Sequence, residues 1–277
     1  MIQKRRLKIQ EIKHSVDLSK KDANREKAEG LQVFITLMES VERSLNELIE
    51  TIEEKQRTTE KQAEDLRTVT QLEETLSKEM KKLFEAELKR VQQYAVDVTL
   101  DPDTAHPDLI LSDDEKQVND SDVEKDLPDN PKRFSHCISV LGKQSFSSGR
   151  FYFEVQVKGK TDWALGVARE SINRKGEITL RPQDGYWTIW LRNGNEYKAC
   201  AGPSVRLSLK SRLQKVGVFV DYEEGLVSFY DVDAAALIYS FTGCSFTEKL
   251  YPYFGPGPND GGKNSTPLII CPVNQTE

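Results

Sequence analysis

The chain has 277 residues, 37% apolar and 30% charged, which is typical of a soluble protein that folds without a metal or disulfides. Its formal net charge of −6 gives no general attraction to phosphate, so nucleic acid is not an expected partner. No run of about 18 apolar residues occurs, and no apolar segment follows the basic N-terminus, which argues against a membrane span or secretory signal. We expect a cytoplasmic protein with reduced cysteines and no membrane partner.

The sequence divides near Asp101 into halves of different composition. Residues 1–101 contain no proline and one glycine, Gly30, whereas residues 102–277 contain all 11 prolines and all three tryptophans. We therefore expect a helical segment over residues 1–95 and an all-β domain over residues 96–277.

The first half predicts one long helix with an apolar stripe. Good helix formers dominate it, and apolar residues recur in alternating steps of three and four. A helix from about Gln3 to Gln92 would be roughly 130 Å long, too long to bury its stripe on one small domain.

A sustained 3.5-residue apolar repeat favours pairing with a second copy as a coiled coil, against the alternative of a single helix folded back on the β domain. The seam is weaker at Lys55, Thr59 and Gln62. The residues predicted to form the dimer contact are Leu31, Ile35, Met38, Val41, Leu45, Leu48, Ile52, Leu66, Val69, Leu76, Met80 and Leu83.

The second half predicts short strands. Phe151, Phe153 and Val155 alternate with polar side chains, as in a half-buried strand. Similar runs are Trp163–Ala168, Tyr186–Leu191, Glu196–Ala199, Val216–Val220, Leu226–Tyr230, Leu237–Phe241 and Leu268–Ile270. No helical period separates them, which indicates a sandwich or barrel of antiparallel sheets.

An acidic segment joins the halves. Eight acids between Asp113 and Asp129 indicate a solvated acidic loop or, alternatively, a negatively charged rim for a basic ligand.

No motif supports catalysis or cofactor binding. The segment 257–264 nearly fits the phosphate-binding pattern G-x-x-x-x-G-K-S/T, but Asn264 replaces the hydroxyl residue and an apolar strand follows instead of a helix. Three histidines, His14, His106 and His136, leave few candidate bases, and the four cysteines lack zinc-binding spacing. We expect no active site, no metal and no cofactor.

Aromatic side chains on strand ends and loops are the candidate binding residues. Tyr186, Trp187 and Trp190 precede Arg192, and a second aromatic segment is predicted as a loop over Tyr251–Asp260. Aromatics and arginine anchor protein interfaces. The two tryptophans are three residues apart, so one should face the core and the other solvent, but alternation does not say which.

The β domain resembles a PRY-SPRY (B30.2) domain over residues 96–274. Five motifs carry the resemblance in order, namely Leu100–Ala105, Ser148–Val155 with Phe153 where Trp is usual, Trp163–Val167, Val220–Glu223 and Leu250–Phe254. With the long coil before it, the chain looks like the C-terminal two thirds of a tripartite-motif (TRIM) protein.

The resemblance implies an antiparallel coiled-coil dimer, a two-sheet antiparallel β-sandwich, and loops that bind a protein ligand. Trp190 matches a ligand-facing aromatic of antibody-binding members, and Asn259 matches another of their contact positions. Ala164 and Arg192 depart from those members, so the ligand is not named. The residues predicted to contact it are Tyr186, Trp190, Arg192, Pro258, Asn259 and Asp260.

The family also places a RING domain and a B-box before the coil, and the RING supports ubiquitin transfer. Residues 1–130 contain no cysteine and only two histidines, too few for a structural zinc, so this chain is not expected to be an enzyme. We predict the recognition and dimerisation portion of a TRIM-type E3 ubiquitin ligase in innate immune signalling. The alternative is a structural or dominant-negative subunit that forms heterodimers with full-length relatives; the sequence leaves open whether the chain is a fragment, a truncated paralogue or an incomplete gene model.

Overall fold

The computed structural model describes residues 2–128 and 130–273, with side chains described for all of these except residues 23 and 28–33. A helix, α1 (Ile2–Gln92), precedes all the strands. The strands are β1 (Leu109–Leu111), β2 (Gln117–Asp120), β3 (Val140–Leu141), β4 (Arg150–Gln156), β5 (Trp163–Arg169), β6 (Tyr186–Arg192), β7 (Glu196–Ala199), β8 (Val205–Leu207), β9 (Lys215–Asp221), β10 (Leu226–Asp231), β11 (Ala236–Phe241), β12 (Leu250–Gly255) and β13 (Leu268–Cys271). A 3₁₀ turn at Pro182–Asp184 leads into β6.

The strands form two antiparallel sheets that enclose one apolar core. The seven-stranded sheet has the order β1-β2-β13-β4-β9-β10-β11, and the six-stranded sheet has the order β3-β12-β5-β6-β7-β8. Alternate residues of each strand enter the core, as Phe151 and Phe153 do from β4 and as Ile189 and Leu191 do from β6. The prediction of a long helix followed by a two-sheet antiparallel β-sandwich is confirmed.

Strand β12 (Leu250–Gly255) corrects one sequence prediction, because the first part of the predicted loop Tyr251–Asp260 is a strand. Proline has no N–H to donate to a sheet ladder, so it needs a position where no ladder bond is lost. In the structure the Pro252 carbonyl accepts the Gly142 N–H at 2.9 Å, on the side of β3, which has only two residues. The position at which Pro252 lacks an N–H is therefore the end of the ladder between β12 and β3.

The acidic segment is also more ordered than predicted. Residues Gln117–Asp120 form β2, which pairs with both β1 and β13, and Asp120 is 5% exposed. The prediction of a solvated acidic loop is wrong for this part of the segment, because sheet pairing buries it.

The chain divides into two compact units, Met1–Leu76 and Ser77–Glu277, so the last turns of α1 belong to the unit that contains the strands. The sequence had placed the boundary between residues 95 and 96.

The last turns of α1 pack on the outer face of the seven-stranded sheet. Leu88 and Val91 form an apolar cluster with Tyr152, Phe219 and Tyr230, and Val91 is fully buried. This cluster covers aromatic side chains that alternate with the inner core residues of the same strands.

A buried carboxylate adds polar contacts to this junction. Glu154 on β4 accepts hydrogen bonds at 2.9 Å from Gln92 Nε2 of the helix and from the Tyr152 hydroxyl, and Lys215 Nζ lies 3.3 Å from its second oxygen. Glu154 is 3% exposed, so these partners compensate for the loss of water around its charge. The end of α1 is thus part of the folded β unit.

We expect Val91→Ala to lower the free energy of unfolding of the β unit by about 2 kcal/mol, because it leaves a cavity against the sheet. Val123→Ala is the control, since Val123 is 67% exposed and loses no packing. Chemical denaturation followed by tryptophan fluorescence measures both, because all three tryptophans lie in this unit. Equal stability of the two variants would contradict the packing described.

Candidate functional site

Strand β6 decides which tryptophan is accessible. Trp187 is 6% exposed and lies in the core between the sheets, whereas Trp190 lies on the outer face of the six-stranded sheet and is partly exposed. Trp190 is therefore the tryptophan that a ligand can reach.

The structure contradicts the prediction made for Tyr186. It shares the outer face with Trp190 but is 1% exposed. Its hydroxyl donates to the Asn173 carbonyl at 2.8 Å, and its ring packs edge-on against Tyr253 with centroids 5.5 Å apart. The prediction that Tyr186 contacts a ligand is wrong for this conformation, because the segment that precedes β6 covers the ring.

Two cations flank the Trp190 ring. The Arg192 guanidinium carbon and Lys198 Nζ each lie 5.2 Å from its centroid, within the range of cation–π attraction. Arg192 Nη1 also donates to Asp162 Oδ1 at 2.5 Å and to the Trp163 carbonyl at 3.2 Å. Burial raises the pKa of the Asp162 carboxyl, although the charge of Arg192 opposes that rise.

Asn264 organises the loop that carries the other predicted contacts. It is 2% exposed, and its Oδ1 accepts the Thr161 and Asp162 N–H groups at 2.9 and 3.2 Å. Its Nδ2 lies 3.0, 2.9 and 3.0 Å from the carbonyls of Asp162, Pro256 and Pro258. One carboxamide thus replaces regular backbone pairing along the loop. The residue that broke the phosphate-binding pattern is the structural centre of this segment.

Lys160 also stabilises this loop. Its side chain is fully buried, and Nζ donates to the carbonyls of Asn264 and Thr266 at 3.2 and 2.8 Å. Burial lowers the pKa of the Lys160 ammonium to about 8, with Asp162 and Asp120 opposing the shift.

Asn259 is tied to the acidic segment. Its backbone N–H donates to Asp120 Oδ2 at 2.9 Å, and its Nδ2 donates to Asp122. Pro258 and Asp260 on either side of it are exposed. A cavity of about 280 Å³ opens beside them, lined by Thr161, Asp162, Asn193, Pro258, Asp260 and Asn264.

These contacts bring most of the predicted ligand residues onto one surface. We call it the outer binding face and define it as Trp190, Arg192 and Asp162 with the loop 256–264. Asp162 links its two parts, since its carboxylate binds Arg192 and its backbone binds Asn264. Sequence analysis missed Asp162, Lys160, Lys198 and Asn264, whose roles depend on contacts between distant segments.

The predicted dimer contact is an exposed apolar stripe on α1. Its described side chains are between 41% and 69% exposed, and the side chain of Leu31 lies outside those described. The exposed members are Ile35, Met38, Val41, Leu45, Leu48, Ile52, Leu66, Val69, Leu76, Met80 and Leu83. A stripe of this length on a water-exposed helix is typical of a protein-interaction surface.

No group of three or more His, Cys, Asp and Glu side chains in residues 2–128 and 130–273 is arranged to hold a metal ion. Over the same residues, no helix combines the length and the apolar character needed to cross a membrane.

Comparison with known families accounts for nearly the whole chain. The TRIM protein coiled-coil region matches residues 2–92, the SPRY-associated domain (PRY) matches residues 98–146, and the SPRY domain matches residues 150–269. Neither a RING nor a B-box domain is matched within these 277 residues.

Individual relatives agree with these matches. Human Pyrin is 50% identical over 200 residues, 72% of this chain and 26% of Pyrin, and Nuclear factor 7, brain, of Xenopus laevis is 57% identical over 169 residues, 61% of this chain and 28% of that protein. The chain thus spans little more than a quarter of the length of either relative. The crystal structure of the TRIM65 PSpry domain has the same fold, with a TM-score of 0.57 and 24% identity over 66% of this chain and 93% of that one.

We expect Asn264→Asp to destabilise the β unit by about 3 kcal/mol or more, because a carboxylate cannot donate to three carbonyls and would be buried among them. Asn195→Asp is the matched control, since Asn195 is exposed and its side chain makes no hydrogen bond in the described part of the chain. Thermal unfolding of both variants tests this, and a loss as small as that of the control would contradict the role assigned to Asn264.

We expect the wild-type chain to gain stability relative to Lys160→Met as pH rises from about 8 to 10.5. The folded-state pKa of Lys160 is about 8 and the ordinary lysine value is 10.5, so in this interval the unfolded chain binds the extra proton. Denaturation of both proteins across this interval removes the contribution of other titrating groups from the difference. A difference that is independent of pH would contradict the lowered pKa.

Proposed function

Because the chain belongs to the tripartite-motif family, with the family's coiled coil followed by its PRY and SPRY domains, we propose that it is the recognition and dimerisation portion of a TRIM-type E3 ubiquitin ligase. The coiled coil and PRY-SPRY domain together form a protein-interaction module. The ligase activity would belong to a longer chain or to a full-length relative. A cytoplasmic location and a role in innate immune signalling form part of the same proposal.

The observation that carries the recognition function is the position of Trp190. It is partly exposed, two cations lie 5.2 Å from its ring centroid, and Asp162 links one of them, Arg192, to the loop fixed by Asn264. An immobilised aromatic on a rigid sheet loses little side-chain entropy when it binds, which is why tryptophan often dominates protein interfaces. The outer binding face is therefore our proposed ligand site.

The exposed stripe of α1 supports the dimerisation function. Pairing two copies along this stripe would remove its apolar side chains from water and would place two outer binding faces on one particle. Bivalent capture can raise apparent affinity by roughly 10² to 10⁴ when both sites reach their targets. Weak individual contacts at the outer binding face would then suffice.

A second candidate function uses the same stripe. A helix that exposes an unpaired apolar seam can also pair with the coil of a full-length relative, which would make this chain a structural or dominant-negative subunit. In that case the outer binding face has no ligand of its own.

We predict that Trp190→Ala removes specific partners captured by the full chain from cell extract, with a loss of about 2 kcal/mol or more in binding, or roughly 30-fold. Leu48→Asp should make the chain monomeric in sedimentation and weaken capture through lost bivalency. Quantitative mass spectrometry of the captured proteins measures both effects.

Two variants serve as controls. Leu237→Ala changes an exposed apolar residue on β11 of the other sheet, and Asn46→Asp adds the same charge to α1 away from the stripe. If partners survive Trp190→Ala but disappear with Leu48→Asp, recognition by the outer binding face is the wrong function and the subunit function is favoured. A wild-type chain that sediments as a monomer at micromolar concentration would rule out self-association.

A further inference from the structure

A row of side chains crosses the outer face of the six-stranded sheet. Trp190 on β6 lies opposite Lys198 on β7, and Lys198 lies opposite Arg206 on β8. Residues directly opposite in antiparallel strands project from the same face. The neighbouring pair, Leu191 and Tyr197, belongs instead to the core. The row therefore continues the outer binding face from an aromatic ring to two cations.

The two cations beside the Trp190 ring, Arg192 and Lys198, have acidic neighbours. Arg192 pairs with Asp162 at 2.5 Å, and Lys198 pairs with Glu196 at 2.8 Å. These ion pairs hold the two cations beside the Trp190 ring and offset part of their charge. Arg192 and Lys198 therefore contribute little unpaired positive charge to the outer binding face.

The cations at the β8 end of the row differ in that they form no such ion pair in the described residues. Arg206 and Lys210 are exposed, and their side chains form no hydrogen bond and no ion pair in the described residues. With Arg212, whose Nη2 also donates to the Lys160 carbonyl at 2.6 Å, they line a cavity of about 440 Å³. Its wall includes the core-side residues Tyr197 and Leu209, so it opens at the edge strand β8, next to the end of the row. The segment 204–212 contains three cations and no acid, in a chain whose net charge is −6. Positive charge is thus concentrated at this end of the row, where Glu196 is the acid that the charge of Arg206 reaches and whose pKa Lys198 and Arg206 both lower.

From this arrangement we propose that the ligand of the outer binding face presents an acidic peptide segment. Its Asp or Glu side chains occupy the cavity at Arg206, Lys210 and Arg212, and an adjacent apolar or aromatic side chain packs on Trp190. This rests on the proposed function, because it requires that Trp190 contacts the ligand. Complementary charges at an interface select partners and accelerate association.

The opposite border of the face fixes the orientation. There Asp162 and Asp260 line the cavity beside the loop 256–264 and are each paired with one cation, Arg192 and Lys263. Asp122, which binds Asn259, is exposed and forms no ion pair in the described residues, so an acidic segment would be repelled at that end. The acidic part of the ligand must therefore lie toward β8. The same acids disfavour a nucleic acid, whose regularly spaced phosphates would need a continuous basic track.

Selection of random peptides displayed on phage against the full chain tests this proposal. We expect wild-type selection to enrich peptides with clustered Asp and Glu next to an apolar or aromatic residue. Binding of an enriched peptide, measured by fluorescence anisotropy, should weaken roughly tenfold or more in Arg206→Glu/Lys210→Glu and should also weaken with added salt. Lys132→Glu/Lys249→Glu, which reverses two exposed cations outside the face, should bind as the wild type does.

The outcomes separate this inference from the proposed function. Peptides without an acidic excess, or acidic peptides that tolerate Arg206→Glu/Lys210→Glu, overturn the inference. If Trp190→Ala abolishes binding in that second case, the outer binding face itself stands. Binding that survives Trp190→Ala overturns the face and the inference together, and displacement of the peptide by random-sequence duplex DNA at equal charge concentration assigns the basic cluster to nucleic acid. Matching thermal unfolding of all variants ensures that these results report binding.

Discussion

Burial of one face of strand β6 against the second sheet is the constraint on which the candidate site depends. Ile189 and Leu191 must enter the apolar core, and a strand turns successive side chains to opposite faces. Trp190 between them is therefore forced outward, beside Lys198 of the next strand. The same alternation sends Trp187 inward. The core thus determines which aromatic remains available for recognition, and the register of β7 and β8 determines which charges accompany it.

The loop beside Trp190 is fixed by buried polar groups instead of strand pairing. The Asn264 side chain accepts from two N–H groups and shares its two amide hydrogens among three carbonyls, and Lys160 donates to the carbonyls of Asn264 and Thr266. Backbone groups buried in an irregular loop need such partners, because each unsatisfied one carries a desolvation cost. This arrangement leaves the exposed Pro258 and Asp260 on a support that does not depend on a ligand. Preorganisation of this kind reduces the entropy lost on binding.

The two parts of helix α1 differ in how far their side chains are buried. Its last turns are anchored, since Val91 is buried and Gln92 binds Glu154. The apolar stripe that precedes them is exposed along its described length, and no described residue of the chain covers it. In the proposed dimer the stripe would be covered by another helix, while the anchored end would tie each β domain to its coil.

The sequence by itself determined the features that arise from local periodicity, namely the long helix, most of the core strands, and the opposite orientation of Trp187 and Trp190. It also placed Trp190 and Asn259 among the candidate contacts through a family resemblance, and Arg192 because aromatics and arginine anchor protein interfaces. Only the tertiary structure decided that Trp190 is the exposed tryptophan, that Tyr186 is covered, and that Asn264 supports a loop. The reason is physical. Periodicity records how one segment alternates between two environments, whereas burial, hydrogen-bond partners and cross-strand neighbours depend on segments that lie far apart in the chain.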